Sequence, residues 1–315
     1  MQVENGHLQD GNAANGGDLV KHTVYLSLVR NLIENPTWKG GIKIRECHAG
    51  RGLYAPVPGN VDLAHNVMSE QGPGCLLGEM ERGILSERKL LPDGTAYAGS
   101  ALLNAYNLAS LGVPATLDLY EMDGAVRRDL SAIRDYPSIR QAISDGKLTV
   151  NVLEEGRGEE FDGETYIRDT MDQWGPEDVI LLDPFAFWRD DDKSRIRRVR
   201  RGLYRDILDK SATTQSTVVI FFTWGNAHLG ARQDILCCNA ACENGYQQLI
   251  SHLWGDRRPV VVTWCWRYTF AMWIVSSGCQ HDLLVGATKR DLDQLHQHMR
   301  HHRKGPDTDW PCLVV

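Results

Sequence analysis

The sequence predicts a doubly wound α/β fold with a mostly parallel sheet, on three observations. Ile42 to Tyr54, IKIRECHAGRGLY, runs from apolar residues alternating with charge into a glycine-bent loop, the pattern of a strand that ends at a ligand loop. Val179 to Leu182 is continuously apolar, as a central parallel strand covered on both faces must be. Two late β-rich segments, PVVVTWCWRYT and FAMWIVSSG, read as an antiparallel hairpin that finishes the sheet.

Composition sets the outer limits. A chain of 315 residues with 42% hydrophobic and 24% charged residues is long enough for one large domain. The reading is a single domain over 1–315 with an insertion at about 55–96. The formal net charge of -7 argues against wholesale coating of nucleic acid but leaves room for a local basic surface. Apolar runs fall short of the ~20 residues a membrane span needs, and the opening MQVENGHLQDG lacks a leader pattern. The expectation is a cytoplasmic protein with no membrane partner, a monomer in preference to an oligomer.

The eight cysteines are too scattered for a disulfide scaffold, so reduced thiols are expected. Cys237, Cys238 and Cys242, with His228 nearby, lack the paired spacing of zinc ribbons, and no metal is expected there.

In chain order, the Gly- and Asn-rich opening suits a loop. From Asp18, placed as an N-cap, Leu19, Val20, Thr23, Leu26, Leu28, Val29 and Leu32 give a helix that Pro36 ends. Lys21 and His22 then lie on its first turn, either as exposed solubilising residues or facing a ligand. The strand from Ile42 ends at Glu46, and His48, Gly50 and Gly52 form the loop, where glycine permits close backbone approach to a ligand. Residues 55–93 interrupt the alternation of strand and helix and carry one helical pattern, Gly78 to Leu91. The Gly99-Ser100 turn opens an Ala- and Leu-rich helix that Gly112 closes.

The next strand, ATLDLYEMDG, ends at Glu121, a carboxylate able to accept hydrogen bonds from both hydroxyls of a ribose. Its separation from the glycine loop exceeds the ~20 residues usual in dinucleotide folds, which argues against a plain dehydrogenase. A helix from Ala125 to Arg140 and the strand KLTVNVLEEG follow, the latter ending at Glu155-Gly156. After the central strand come Asp183, Pro184 and Phe185, an acceptor beside a stacking surface that suits a flat base and its exocyclic amine. Taken instead as an N-capping Asp with core aromatics, the same stretch is purely structural.

KSRIRRVRRGLYRDIL reads as a helix with Ile196, Val199, Leu203 and Ile207 on one face and Arg197, Arg198 and Arg201 among the cations around the rest. Most such runs are solvated faces; this one, close in sequence to Asp183, is a candidate for phosphate contact. TTQSTVVIFFTW is a further buried strand. The tail places His296, His298, His301 and His302 on a solvated helix.

Gly11-Asn12, the Asp18 to Val24 block, His48 to Tyr54, Gly99-Ser100, Glu121 and Asp183-Pro184 together resemble the RlmJ-type 23S ribosomal RNA adenine-N6 methyltransferases. The match runs in order along nearly the whole chain, and the paired KHTV and HAGxGxY blocks carry its specificity. The resemblance implies a Rossmann-like class I methyltransferase fold with a helical insertion, binding S-adenosylmethionine and acting on RNA. It implies that Lys21, His22, Glu46, His48, Gly50 and Gly52 line the cofactor pocket. Ser100 is then at the methionine end, Glu121 at the ribose, and Glu155-Gly156 at the adenine. Asp183 takes the catalytic position with Pro184 and Phe185, while Asn12, Phe187, Trp188, Arg197, Arg198 and Arg201 fall on the acceptor side.

The chain departs from the family in carrying Asp183-Pro184-Phe185 where that group has Asp-Pro-Pro-Tyr or a near variant. That turn is similar to the one in three-Cys-motif partner proteins. Two alternatives therefore stand beside adenine in RNA: a methyltransferase fold that binds without turnover, and a different acceptor such as DNA, a small molecule or a peptide.

Overall fold

The computed structural model describes residues 16–35, 38, 40–54, 75–88, 96–121, 123–153, 163–183, 186–189, 198–226, 260–265, 268–275, 286–295, 297 and 313–314. They fall into two compact units, the first drawn from Met1–Gly156 and Gly286–Thr308, the second from Arg157–Val285 and Asp309–Val315.

The first unit opens with α1 (Gly16–Glu34), β1 (Ile42–Glu46), β2 (Leu53–Tyr54), α2 (Leu76–Glu87), β3 (Tyr97–Ala98) and α3 (Ser100–Leu111). It continues with β4 (Ala115–Leu119), α4 (Gly124–Ser131), a 3-10 turn (Ala132–Asp135), α5 (Pro137–Ser144) and β5 (Leu148–Val152). A final helix, α8, covers 286–295. Its strands β1, β4 and β5 run parallel in the order β1-β4-β5, with Ile42 opposite Ala115 and Ala115 opposite Leu148. Ile42, Ile44, Leu117 and Leu119 are buried in this sheet, and Val24, Leu28, Leu102 and Leu108 are buried on α1 and α3. Each fully buried side chain of this kind contributes roughly 1.5–3 kcal/mol.

The register of these strands is also written in charge. Asp118 on β4 lies 3.4 Å from the Arg45 guanidinium and 3.3 Å from Lys43 Nζ on β1, and it accepts a hydrogen bond from Asn151 Nδ2 on β5 at 2.8 Å. A one-residue slip would turn these side chains to the opposite face.

The second unit contains α6 (Gly163–Met171), β6 (Asp178–Leu182), β7 (Ala186–Arg189), β8 (Arg198–Arg200), α7 (Arg201–Thr214) and β9 (Thr217–Asn226). It ends with β10 (Val260–Cys265), β11 (Tyr268–Val275) and β12 (Leu313–Val314). β6 and β9 are parallel, with Val179 opposite Thr217. β11 pairs antiparallel with β9 on one side and β10 on the other, and β12 pairs with β10. The continuously apolar β6 is buried at every residue, as its sequence requires. The fold class is therefore Rossmann-like α/β, mostly parallel with late antiparallel strands.

Several elements differ from expectation. α1 begins at Gly16, so Asp18 is an acidic residue within the first turn instead of the N-cap. The helix expected over Ala125 to Arg140 is broken into α4, the 3-10 turn and α5. Pro137 disfavours helical geometry at Tyr136, which is extended at φ -67 and ψ 132. The basic helix does not reach back to Arg198: Arg198–Arg200 is strand β8, paired in parallel with β7, and the helix begins at Arg201. Val199 is β-branched and suits that strand.

Of the expected insertion at about 55–96, residues 75–88 form α2 and its end, with Leu77, Met80, Glu81, Ile84 and Leu85 buried. The tail histidines His296, His298, His301 and His302 and the group Cys237, Cys238, Cys242 and His228 lie outside the described residues. Among the described residues no helix is long and apolar enough to cross a membrane.

Candidate functional site

In the first unit the carboxyl ends of the neighbouring parallel strands β1 and β4 each finish near an acid. The ladder between them continues past both strands: Tyr120 N donates to Glu46 O, and Ala49 N to Tyr120 O, each at 2.9 Å. This brings the His48 to Gly52 loop alongside Glu121. Glu121 accepts hydrogen bonds from Gly50 N through one carboxylate oxygen and from Asp123 N through the other, both at 3.0 Å. Arg127 donates to the Glu121 carbonyl at 2.8 Å. The loop is thus tied at Gly50 to Glu121, the acid for which a ribose is the expected partner.

Gly50 has to be glycine. Its φ is +61, and an added Cβ would stand 2.2 Å from the Tyr54 hydroxyl. That hydroxyl accepts a hydrogen bond from Arg51 N at 2.8 Å, so Tyr54 closes the loop from within. Burial holds the Tyr54 phenol above its usual pKa, which keeps it neutral in this role. Gly99 is equally constrained, because a Cβ there would meet Arg51 O at 2.2 Å. Gly99 N donates to Gly52 O at 2.9 Å, which joins the loop to the start of α3.

Glu46 is buried. It accepts hydrogen bonds from the Ser100 hydroxyl and from Asn104 Nδ2, the latter at 3.3 Å. Ser100 and Asn104 are one helical turn apart, so both side chains project from the same face of α3. Asn104 Oδ1 is buried without a hydrogen-bond partner among the described residues. Asn104 belongs to no motif in the sequence; its spacing of four from Ser100, which puts both on one face of the helix, is the signal that marks it.

Lys21 and His22 are neither exposed nor on the first turn of α1; both are buried. Lys21 Nζ lies 3.1 Å from Asp18 Oδ1. The His22 ring stacks on Tyr97 at 5.6 Å between centroids, and its Nδ1 is 2.7 Å from the Tyr97 hydroxyl. Burial, and secondarily the Lys21 charge, holds His22 well below its ordinary pKa. The ring is therefore a neutral imidazole with one nitrogen already engaged. Tyr97 was also not anticipated, and neither was Glu81 of α2, which is buried and receives the Ala98 N–H.

His48 is half-buried and Gly52 buried on the same loop. Asp183 follows the last residue of β6 in the second unit and is half-buried. Phe187 and Trp188 are on β7, Arg198 is on β8, and Arg201 is the first residue of α7. Asn12, Glu155, Gly156, Pro184, Phe185 and Arg197 lie outside the described residues. Among the described residues no group of three or more His, Cys, Asp or Glu side chains could hold a metal ion.

The loop, the two strand-end acids and the opening of α3 define the ligand end of a Rossmann-like half-sheet. No family model and no curated protein matches this chain. Among solved structures it is similar to the crystal structure of protein LPL1258 from Legionella pneumophila, assigned to family model DUF519. The TM-score is 0.54 at 14% sequence identity, over 96% of this chain and 98% of that one. At that identity the likeness carries the fold alone.

Proposed function

We propose that the chain is an S-adenosylmethionine-dependent methyltransferase of the RlmJ type, acting in the cytoplasm on an exocyclic amine of a nucleobase, adenine in RNA first. The observation that carries this reading is the Gly50 to Glu121 tie at the ends of β1 and β4, with buried Glu46 alongside. A ligand bearing a ribose diol, an ammonium and a sulfonium suits that donor set. A carboxylate offers about four lone-pair sites, so an oxygen that accepts a backbone N–H still accepts a hydroxyl. Two acids at the ends of neighbouring strands also favour a cationic ligand over an anionic one.

In this reading Glu121 orients the ribose, and Gly50 and Gly52 allow the backbone to approach the ligand. Ser100 and Glu46 hold the amino-acid end, while His48, Lys21 and neutral His22 line the pocket. Glu155-Gly156 contact the adenine. The cofactor supplies an electrophilic methyl on a positive sulfur and departs as a neutral thioether. Asp183 accepts a hydrogen bond from the acceptor amine, which aims the nitrogen lone pair at the methyl carbon. The nitrogen–carbon bond forms as the sulfur–carbon bond breaks, and the surplus amine proton leaves to solvent. Positioning and exclusion of water supply most of the rate.

RNA is favoured as partner by arginine placement on the backbone. The register of β7 and β8 pairs the Arg189 and Arg200 positions, and Arg198 and Arg201 lie within two residues of Arg200, in a chain whose net charge is -7. Such a cluster is what phosphate contact requires. Asn12, Phe187, Trp188 and Arg197 complete the acceptor side in this reading.

The test is transfer of a labelled methyl group to total cellular RNA by the full chain and by Asp183→Ala. Transfer by the first, with a loss of at least about a hundredfold in the second, is expected. Donor binding without transfer to RNA, DNA or protein would instead favour a partner protein that has lost turnover, the alternative that the Asp183-Pro184-Phe185 turn raises.

A further inference from the structure

The helix α2 sends one ionisable side chain into the core. Glu81 falls four residues after Leu77 and three before Ile84, on the apolar stripe of α2, and is 1% exposed. Both of its carboxylate oxygens face one donor, Ala98 N, at 3.2 and 3.1 Å.

The reason lies in β3. It has two residues and, among the described residues, one neighbouring strand: Leu53 stands opposite Ala98 and Tyr54 opposite Tyr97. Ala98 is fully buried, so its N–H needs an acceptor within the protein, and the Glu81 carboxyl provides it where another strand would in a wider sheet. An amide would serve as well without the cost of burying an acid. Burial pushes the Glu81 carboxyl up to about 8, partly offset by the Ala98 N–H.

The segment held in this way is the one on which the cradle depends. Tyr97, immediately before Ala98, carries the hydroxyl that engages His22 Nδ1. Gly99, immediately after it, bonds back to Gly52. Ser100 then bonds Glu46. A displacement of Ala98 therefore reaches the His22 ring, the glycine loop and the Glu46 carboxylate together.

We propose that Glu81 is a positioning residue for the donor site: its carboxyl seats Ala98 so that Tyr97 orients His22 and Ser100 engages Glu46. The proposal rests on reading that cradle as the S-adenosylmethionine site, and its experiment separates the two. Glu81→Gln keeps the reach and an oxygen acceptor, Glu81→Asp keeps the carboxyl but loses one methylene of reach, and Glu81→Leu removes the acceptor.

Two quantities are measured on the full chain: the Kd for S-adenosylmethionine by calorimetry, and the amide exchange rate of segment 97–100 by mass spectrometry. Glu81→Gln is expected to stay within about twofold of wild type in both. Glu81→Asp and Glu81→Leu are expected to weaken the Kd and speed the exchange by about tenfold, the equivalent of one lost hydrogen bond. A Kd that moves together with the exchange of segment 97–100, while exchange elsewhere in the chain is unchanged, is not what a merely structural role gives. The proposal is overturned if Glu81→Asp matches wild type, or if Glu81→Gln is as impaired as the shorter residue. Should wild type bind no S-adenosylmethionine, the donor-site reading fails, and the exchange rates alone decide whether Glu81 seats the segment.

Discussion

Two glutamates, Glu46 at the end of β1 and Glu81 in the middle of α2, are buried to nearly the same degree and are provided for differently. Glu46 meets a hydroxyl and an amide from one face of α3. Among the described residues Glu81 meets a single backbone N–H, through both oxygens. A buried carboxyl with a single donor is driven toward its protonated form, and burial raises the Glu81 pKa in that sense. The first arrangement suits a residue meant to face a cationic ligand, the second a residue meant to hold backbone in place.

Replacing each glutamate by leucine separates the two roles most strongly. Glu46→Leu strands the Ser100 hydroxyl and the Asn104 amide, each at about 1–3 kcal/mol. Its urea midpoint should fall accordingly, and its affinity for S-adenosylmethionine should drop by about a hundredfold or more. Glu81→Leu strands one N–H but relieves a buried acid, so its stability above pH 8 should equal or exceed that of wild type.

The next effect is in pH. The folded protein holds the Glu81 proton up to about 8, whereas an unfolded carboxyl releases it near 4.5. Between these values the folded state binds more protons, so wild type should lose stability as pH rises through that window and level off above it. Glu81→Gln should remove this contribution, leaving the two proteins alike near pH 4 and the variant more stable at pH 9 by on the order of a few kcal/mol. Equal slopes in paired denaturation series would contradict the assignment.

Much of this was legible in the sequence, for identifiable reasons. Glu46 ends a strand whose Ile42 and Ile44 alternate with charge, and Glu121 lies two residues past the end of the next, so both acids announce themselves by position. Gly50 does so through the loop it bends. Glu81 was hidden because a glutamate in GEMERGIL reads as a solvated helix residue. Only its spacing from Leu77 and Ile84 shows that it lies on the buried stripe. Tyr97 and Asn104 were hidden for a similar reason: one lies in a two-residue strand too short to have a period, the other in a helix dominated by Ala and Leu. The break at Pro137 is legible, since a proline disfavours helical geometry at the residue before it. The strand at Arg198–Arg200 was not legible, because its pairing with β7 is a tertiary choice that overrides local helical pattern.

Smaller effects sharpen the comparison on the Glu46 side. Gly50→Ala must place a Cβ at a positive φ, at about 1–2 kcal/mol, and against the Tyr54 hydroxyl. It should weaken donor binding by about tenfold while leaving the segment 97–100 protected from exchange. Ser100→Ala should cost about 1 kcal/mol in stability, because Asn104 still serves Glu46, and its donor Kd should rise only severalfold.

The most direct measurement is a calorimetric titration of the full chain with S-adenosylmethionine, repeated with Glu46→Leu and with Glu121→Ala. The account predicts saturable binding at one site per chain, weakened by about a hundredfold in each variant. Absence of binding to wild type, or binding that neither substitution weakens, would contradict it.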